Sequence, residues 1–145
     1  MMLKHKSLKL VLGLLGCGLL LFNVGAAADE GLVCPEDIYI EIVAAPNVLN
    51  LQSAGQWVTI HTDIPFSLVG GLSWYLNGIP ISVIKSDARG YFVGKFVIED
   101  VKDEVVEGWN TLTLIGTTLD EPDNPPLAFC GSCEIRVINV QATGR

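Results

Sequence analysis

The residues from Gln56 to Ile64 alternate so regularly that they admit few folds. Val58, Ile60, Thr62 and Ile64 fall on one side; Trp57, Thr59, His61 and Asp63 fall on the other. A period of two marks a strand with one buried face in an antiparallel sheet. The shorter run Val48, Leu49 and Leu51 precedes it, and Ser53-Ala54-Gly55 breaks the two apart, with glycine supplying the freedom to turn. This pattern speaks of folding, not of chemistry.

The alternation recurs along the chain. Asp37 to Val43 sets Ile38, Ile40 and Ile42 against Tyr39, Glu41 and Val43, and Pro46 closes the run. Leu72 to Leu76 puts Leu72, Trp74 and Leu76 on one face, and Asn77-Gly78 is a turn pair because both residues tolerate positive φ. Ile79 to Ile84 returns as a strand, with Pro80 placing it at an edge. After the loop Ser86 to Gly90, Tyr91 to Glu99 sets Phe92, Phe96 and Ile98 against Tyr91, Val93 and Val97. The acidic stretch Asp100 to Gly108 reads as a helical turn or a crossover between sheets. Trp109 to Ile115 alternates again, and Gly116 to Pro126 is a loop rich in proline and aspartate. Leu127 to Val140 finishes the domain with a strand around Ile135, Val137 and Ile138, just after Cys130-Gly131-Ser132-Cys133. Seven to eight short strands spaced by about 8–12 residues, without an amphipathic helix, predict an all-β antiparallel sandwich.

The N-terminus has a different character. Lys4, Lys6 and Lys9 precede an apolar run from Leu10 to Val24, which leads to Gly25-Ala26-Ala27-Ala28 before Asp29. The run is shorter than the roughly 20 residues of a membrane span. It predicts a signal peptide over residues 1–28, cleaved after Ala27 or Ala28, and one domain over residues 29–145. Leu14-Leu15-Gly16-Cys17 is also similar to a lipobox, but the apolar run continues past Cys17 and a better cleavage site follows. The expected location is therefore secreted, periplasmic or cell-surface, with no membrane insertion after cleavage.

All sixteen acidic residues lie at or after Asp29, against six basic ones, so the processed chain carries a net charge of −10. Such a surface repels phosphate backbones, which excludes nucleic acid as an expected partner.

The order of the pieces resembles immunoglobulin-like β-sandwich modules of secreted and surface proteins of bacteria and archaea. The residues that carry the likeness are Pro46-Asn47-Val48-Leu49-Asn50-Leu51, Ser53-Ala54-Gly55-Gln56-Trp57-Val58-Thr59, Leu76-Asn77-Gly78 and Gly108-Trp109-Asn110-Thr111-Leu112-Thr113-Leu114. The resemblance covers roughly residues 38 to 140 and implies an immunoglobulin-like, non-enzymatic module. Relatives often carry an aspartate-rich calcium loop before the strand that begins here at Tyr91. This chain has only Ser86-Asp87-Ala88-Arg89-Gly90 there, a poor oxygen cage.

Three cysteines follow the signal: Cys34, Cys130 and Cys133. Export favours disulfides. In a sandwich of the resembled kind the first and last strands can run side by side in parallel. That arrangement predicts a bridge from Cys34 to Cys130 or Cys133, with one thiol left over. The competing reading is an exported thiol protein that binds a metal or exchanges disulfides through the three cysteines. Against it, Phe129-Cys130-Gly131-Ser132-Cys133 leads into a strand-like run rather than the helix that activates a redox cysteine. Glu134 also stands where haem attachment needs histidine, and no cofactor is expected.

His61 shares a face with Thr59 and Asp63, yet no Gly-x-Ser-x-Gly elbow accompanies it, so no catalytic residue is assigned. Glu99, Asp100, Asp103, Glu104 and Glu107 read as a solvated face. Asp120, Glu121, Asp123 and Asn124 form the candidate ligand or cation loop, since loops at sandwich ends commonly carry function. The expected function is binding, surface attachment or assembly. The partner would be a protein or surface glycan, or a second copy through the spare cysteine or an edge strand.

Overall fold

The central alternation becomes one long strand whose inward residues Val58, Ile60, Thr62 and Ile64 are all buried. The computed structural model describes residues 34, 38–69 and 73–141, which belong to the contact unit Gly31–Arg145. The expected signal peptide and the Cys17 alternative lie outside the described residues.

The strands form two layers. One holds β1 (Ile38–Tyr39), β3 (Val48–Asn50), β5 (Tyr75–Leu76), β6 (Ile79–Pro80), β9 (Gly108–Thr117) and β10 (Ala128–Ile138). The other holds β2 (Ile42–Ala45), β4 (Trp57–Pro65), β7 (Val83–Ser86) and β8 (Tyr91–Val97), in the order β2-β4-β8-β7. The first layer runs β1-β10-β9-β5-β6, with β3 also on β10. Counting β1–β3 as one interrupted first strand, this is the immunoglobulin sandwich with an added edge strand.

The expected single strand from Asp37 to Val43 is divided between the layers. Ile38 and Tyr39 pair in parallel with Phe129 and Cys130, whereas Ile42–Ala45 pair antiparallel with Thr62–Thr59. Beyond a cis Ala45–Pro46 peptide, β3 returns to β10, again in parallel. The alternation survives the crossing: Ile40, Ile42 and Ala44 are buried, while Tyr39 and Val43 are exposed. A side chain's face is set locally, but its layer is set by which neighbour takes its backbone hydrogen bonds.

The run Ile79–Ile84 is corrected for the same reason. The Ile81 amide donates to the Trp74 carbonyl in one layer, and the Ser82 amide donates to Lys95 in the other. The expected single strand is therefore β6, a crossing, and β7. Pro80 does lie on an edge strand, where its missing N–H costs no ladder bond. Asn77 and Gly78 have φ of 47° and 85°, as the turn reading requires. The acidic stretch provides both of its expected features, a short helix that also serves as a crossover. Helix α1 (Ile98–Asp103) buries Ile98 and Val101 at a spacing of three and carries the chain from β8 to β9. Its acidic residues face solvent.

Trp74 and Leu76 from one layer meet Ile60, Phe92 and Phe96 from the other. The Trp74 ring lies 4.5 Å from Phe92 and 6.1 Å from Phe129, centroid to centroid. Of the three tryptophans, Trp74 is fully enclosed, Trp57 is half-buried and Trp109 is 70% exposed. The inner faces therefore bury apolar side chains on both layers, which is the main stabilising term.

Candidate functional site

The cysteine motif lies within β10 rather than before it, because pairing with β9 begins at Ala128↔Thr117. Alternation then sends Cys130 and Cys133 to opposite faces. Cys34 bridges Cys130, with Cα atoms 5.2 Å apart, an ordinary separation for bridged cysteines. Cys133 is free and half-buried against the core, and burial pushes its thiol pKa up, opposed by a backbone hydrogen bond involving Ala44. Each motif residue has a structural task. Gly131 lets the Ile40 backbone pass, since a Cβ there would meet Ile40 and Ile42. Ser132 shares a 3.0 Å hydroxyl contact with Thr113 across the β9–β10 pair. Cys130 and Cys133 face opposite sides of β10, so the three sulfurs do not converge on one site. Among the described residues, no group of three or more His, Cys, Asp or Glu is placed to hold a metal.

His61 and Asp63 share the exposed face of β4, beside a shallow depression of about 280 Å³ lined also by Glu41, Arg89 and Tyr91. Asp63 Oδ1 accepts the Glu41 amide at 3.0 Å, so its carboxylate serves the β2–β4 junction rather than the imidazole. Among the described residues, no serine or cysteine lines this depression.

The turn at Asp87 is also built for structure. Asp87 Oδ1 accepts the Arg89 amide at 2.8 Å and the Tyr91 amide at 2.9 Å. The Tyr91 backbone hydrogen bond is the largest influence holding its pKa below the ordinary value; the Arg89 amide and guanidinium add to it against some desolvation. A carboxylate spent on backbone donors is unsuited to a cation cage.

The end of the sandwich beyond β9 is open. A cleft of about 540 Å³ lies between the start of β1, the Pro65–Leu68 corner and the loop from Thr118 to Leu127. Its walls include Ile38, Ile64, Leu119, Leu127 and Phe129. Tyr39, Leu68, Leu119 and Leu127 also present apolar surface to solvent, from 42% to 69% exposed. Polar atoms are few: Ser67, Thr118, Asn124, Asp63 and Glu121. Thr118 is occupied, its Oγ1 accepting the Leu127 amide at 2.8 Å and its own amide donating to the Leu127 carbonyl at 3.0 Å. That double contact closes the base of the loop and aims Leu119 and Leu127 at the cleft.

Of the four loop residues singled out in the sequence, Glu121 and Asn124 line this cleft, whereas Asp120 and Asp123 do not. Glu121 and Asn124 exchange backbone hydrogen bonds of 3.2 and 3.1 Å, forming a tight turn rather than a converging oxygen cage. The apolar lining was missed. Its signal was present as Leu68 stranded after Pro65, and as the two leucines, Leu119 and Leu127, that bracket the acidic loop.

No protein-family model matches the chain. A comparison with curated proteins also finds no match. Among solved structures, the chain is similar to one from work on host cell surface retention of a 1.5-MDa bacterial ice-binding adhesin. The identity is 15% and the TM-score 0.49, over 74% of this chain and 34% of that one. The chain thus spans about a third of that chain's length. A likeness this remote transfers no binding activity to it.

Proposed function

We propose that the chain is an exported, non-catalytic β-sandwich module that binds a partner through the cleft at the end of the sandwich. The observation that carries this reading is the group of four solvent-facing apolar side chains, Tyr39, Leu68, Leu119 and Leu127, around one concave site. A concave apolar site with few polar groups is the usual form of a binding site, and loops on a rigid scaffold commonly supply it. Export is supported by the cationic and apolar N-terminal sequence and by the Cys34–Cys130 bridge, which suits an oxidising compartment.

Site-specific photocrosslinking tests the reading. A photoreactive residue at Leu127 is expected to capture a partner in the envelope or surface fraction of the expressing cell. The same group at Val106, exposed near the opposite end of β9, is expected to capture nothing comparable. Equal capture at both positions, or capture at Val106 alone, would overturn the assignment.

A further inference from the structure

Resting on the cleft as the binding site, we propose that its occupant is a cationic peptide segment, one whose apolar side chains are flanked by lysine or arginine. Among the described residues, the cleft is lined by two carboxylates, Asp63 and Glu121, and by no lysine, arginine or histidine. Asp120 and Asp123 lie beside Glu121 in the same exposed loop. Among the described residues the ion pairs are Arg89–Asp87 and Lys102–Glu99, so none of these four carboxylates is neutralised by a partner. An apolar trough with an acid rim selects a guest carrying apolar groups between positive charges. It repels the anionic headgroups of lipid surfaces. The Ser67 hydroxyl has no hydrogen-bond partner among the described residues, and Asn124 makes only a long side-chain contact of 3.5 Å to Glu121. Both are free to meet the backbone amides of an extended peptide.

Fluorescence anisotropy with the purified exported chain tests the proposal. Three labelled peptides are compared: leucines flanked by lysines, the same leucines flanked by glutamates, and serines flanked by lysines. The lysine-flanked leucine peptide is expected to bind at least about tenfold more tightly than either control. Salt at about 0.5 M should narrow the gap between lysine and glutamate flanks, because the Debye length falls to a few ångströms. Leu127→Ser should weaken the favoured peptide, and Glu121→Lys should erase most of the charge preference. Both positions are exposed, so thermal melts of the variants should match the wild type.

Equal binding of the two leucine peptides, preference for the glutamate flanks, or an unchanged gap in Glu121→Lys would overturn the proposal. So would a serine peptide that binds as well as the leucine one, or binding confined to vesicles containing phosphatidylglycerol. Capture at Leu127 together with failure of the peptide series removes the cationic occupant and retains the cleft. Loss of capture at Leu127 removes both.

Discussion

Two loops that carry carboxylates in this molecule have opposite fates. In the Asp87 turn, the carboxylate accepts two backbone amides and lies beside Arg89, whose guanidinium also sits 5.3 Å from the centre of the Tyr91 ring. In the loop from Thr118 to Leu127, the carboxylates face solvent, and the closing contacts come from Thr118 and backbone atoms. The first loop consumes its charge in holding itself together. The second leaves its charge for something else. What separates them is whether several backbone donors and a cation lie within reach of the acid, since a carboxylate that already accepts two amides beside an arginine has less to offer a ligand.

The largest expected effect tests what anchors the open loop. The Cys34–Cys130 bridge closes a separation of 96 residues and fixes the segment entering β1 to the strand that follows the loop. Replacing Cys34 and Cys130 by serine is expected to cost about 4–5 kcal/mol by loop-closure entropy. Denaturant melts would read this loss, and hydrogen exchange should quicken around Ile38 and Phe129 while the Asp87 turn stays protected. Equal quickening in both loops would break the contrast.

Next comes the platform beneath the same loop. A Cβ on Gly116 would fall onto the Trp74 ring, which is enclosed and cannot swing away. Gly116→Ala should therefore destabilise the fold by about 1–3 kcal/mol, as overpacking does. An unchanged melting temperature would show that the core yields more readily than its packing implies.

Asp87→Ala should be milder and dependent on pH. The folded-state pKa is lowered from 3.8, so the carboxylate's contribution is fully present above pH 3.8 and is lost as pH falls through the lower folded value. The stability difference between wild type and variant should shrink in that acid range. A difference that stays constant there would remove the carboxylate from the account.

The smallest effect belongs to the open loop itself. Neutralising Asp120, Glu121 and Asp123 together, with Asn or Gln, should leave stability within about 0.5 kcal/mol of wild type, as surface changes usually do. A larger loss would mean that this loop, like the Asp87 turn, uses its acids structurally.

The free thiol divides along similar lines. Cys133 lies on the inward side of β10, and its raised pKa makes it a reluctant nucleophile. That position weighs against the expected self-association through a spare cysteine, because an intermolecular bridge needs an accessible thiolate.

The local pattern of residues was enough to decide which side chains enter the core. Val58, Ile60, Phe92, Phe96, Leu112, Leu114, Ile135 and Val137 are buried as alternation requires. Alternation and turn chemistry depend on neighbours a few positions apart, and those are written directly in the chain. Val93 departs from the pattern and is buried on the face opposite Phe92, which shows that outer-face burial follows from neighbouring strands rather than from alternation. Tertiary structure alone chose Cys130 over Cys133, moved the first strand between layers and sent Ile81 and Ser82 to different sheets. It also brought Tyr39, Leu68, Leu119 and Leu127 around one hollow. Each of those outcomes depends on which distant backbone supplies a hydrogen bond, and spacing along a single strand carries no record of that choice.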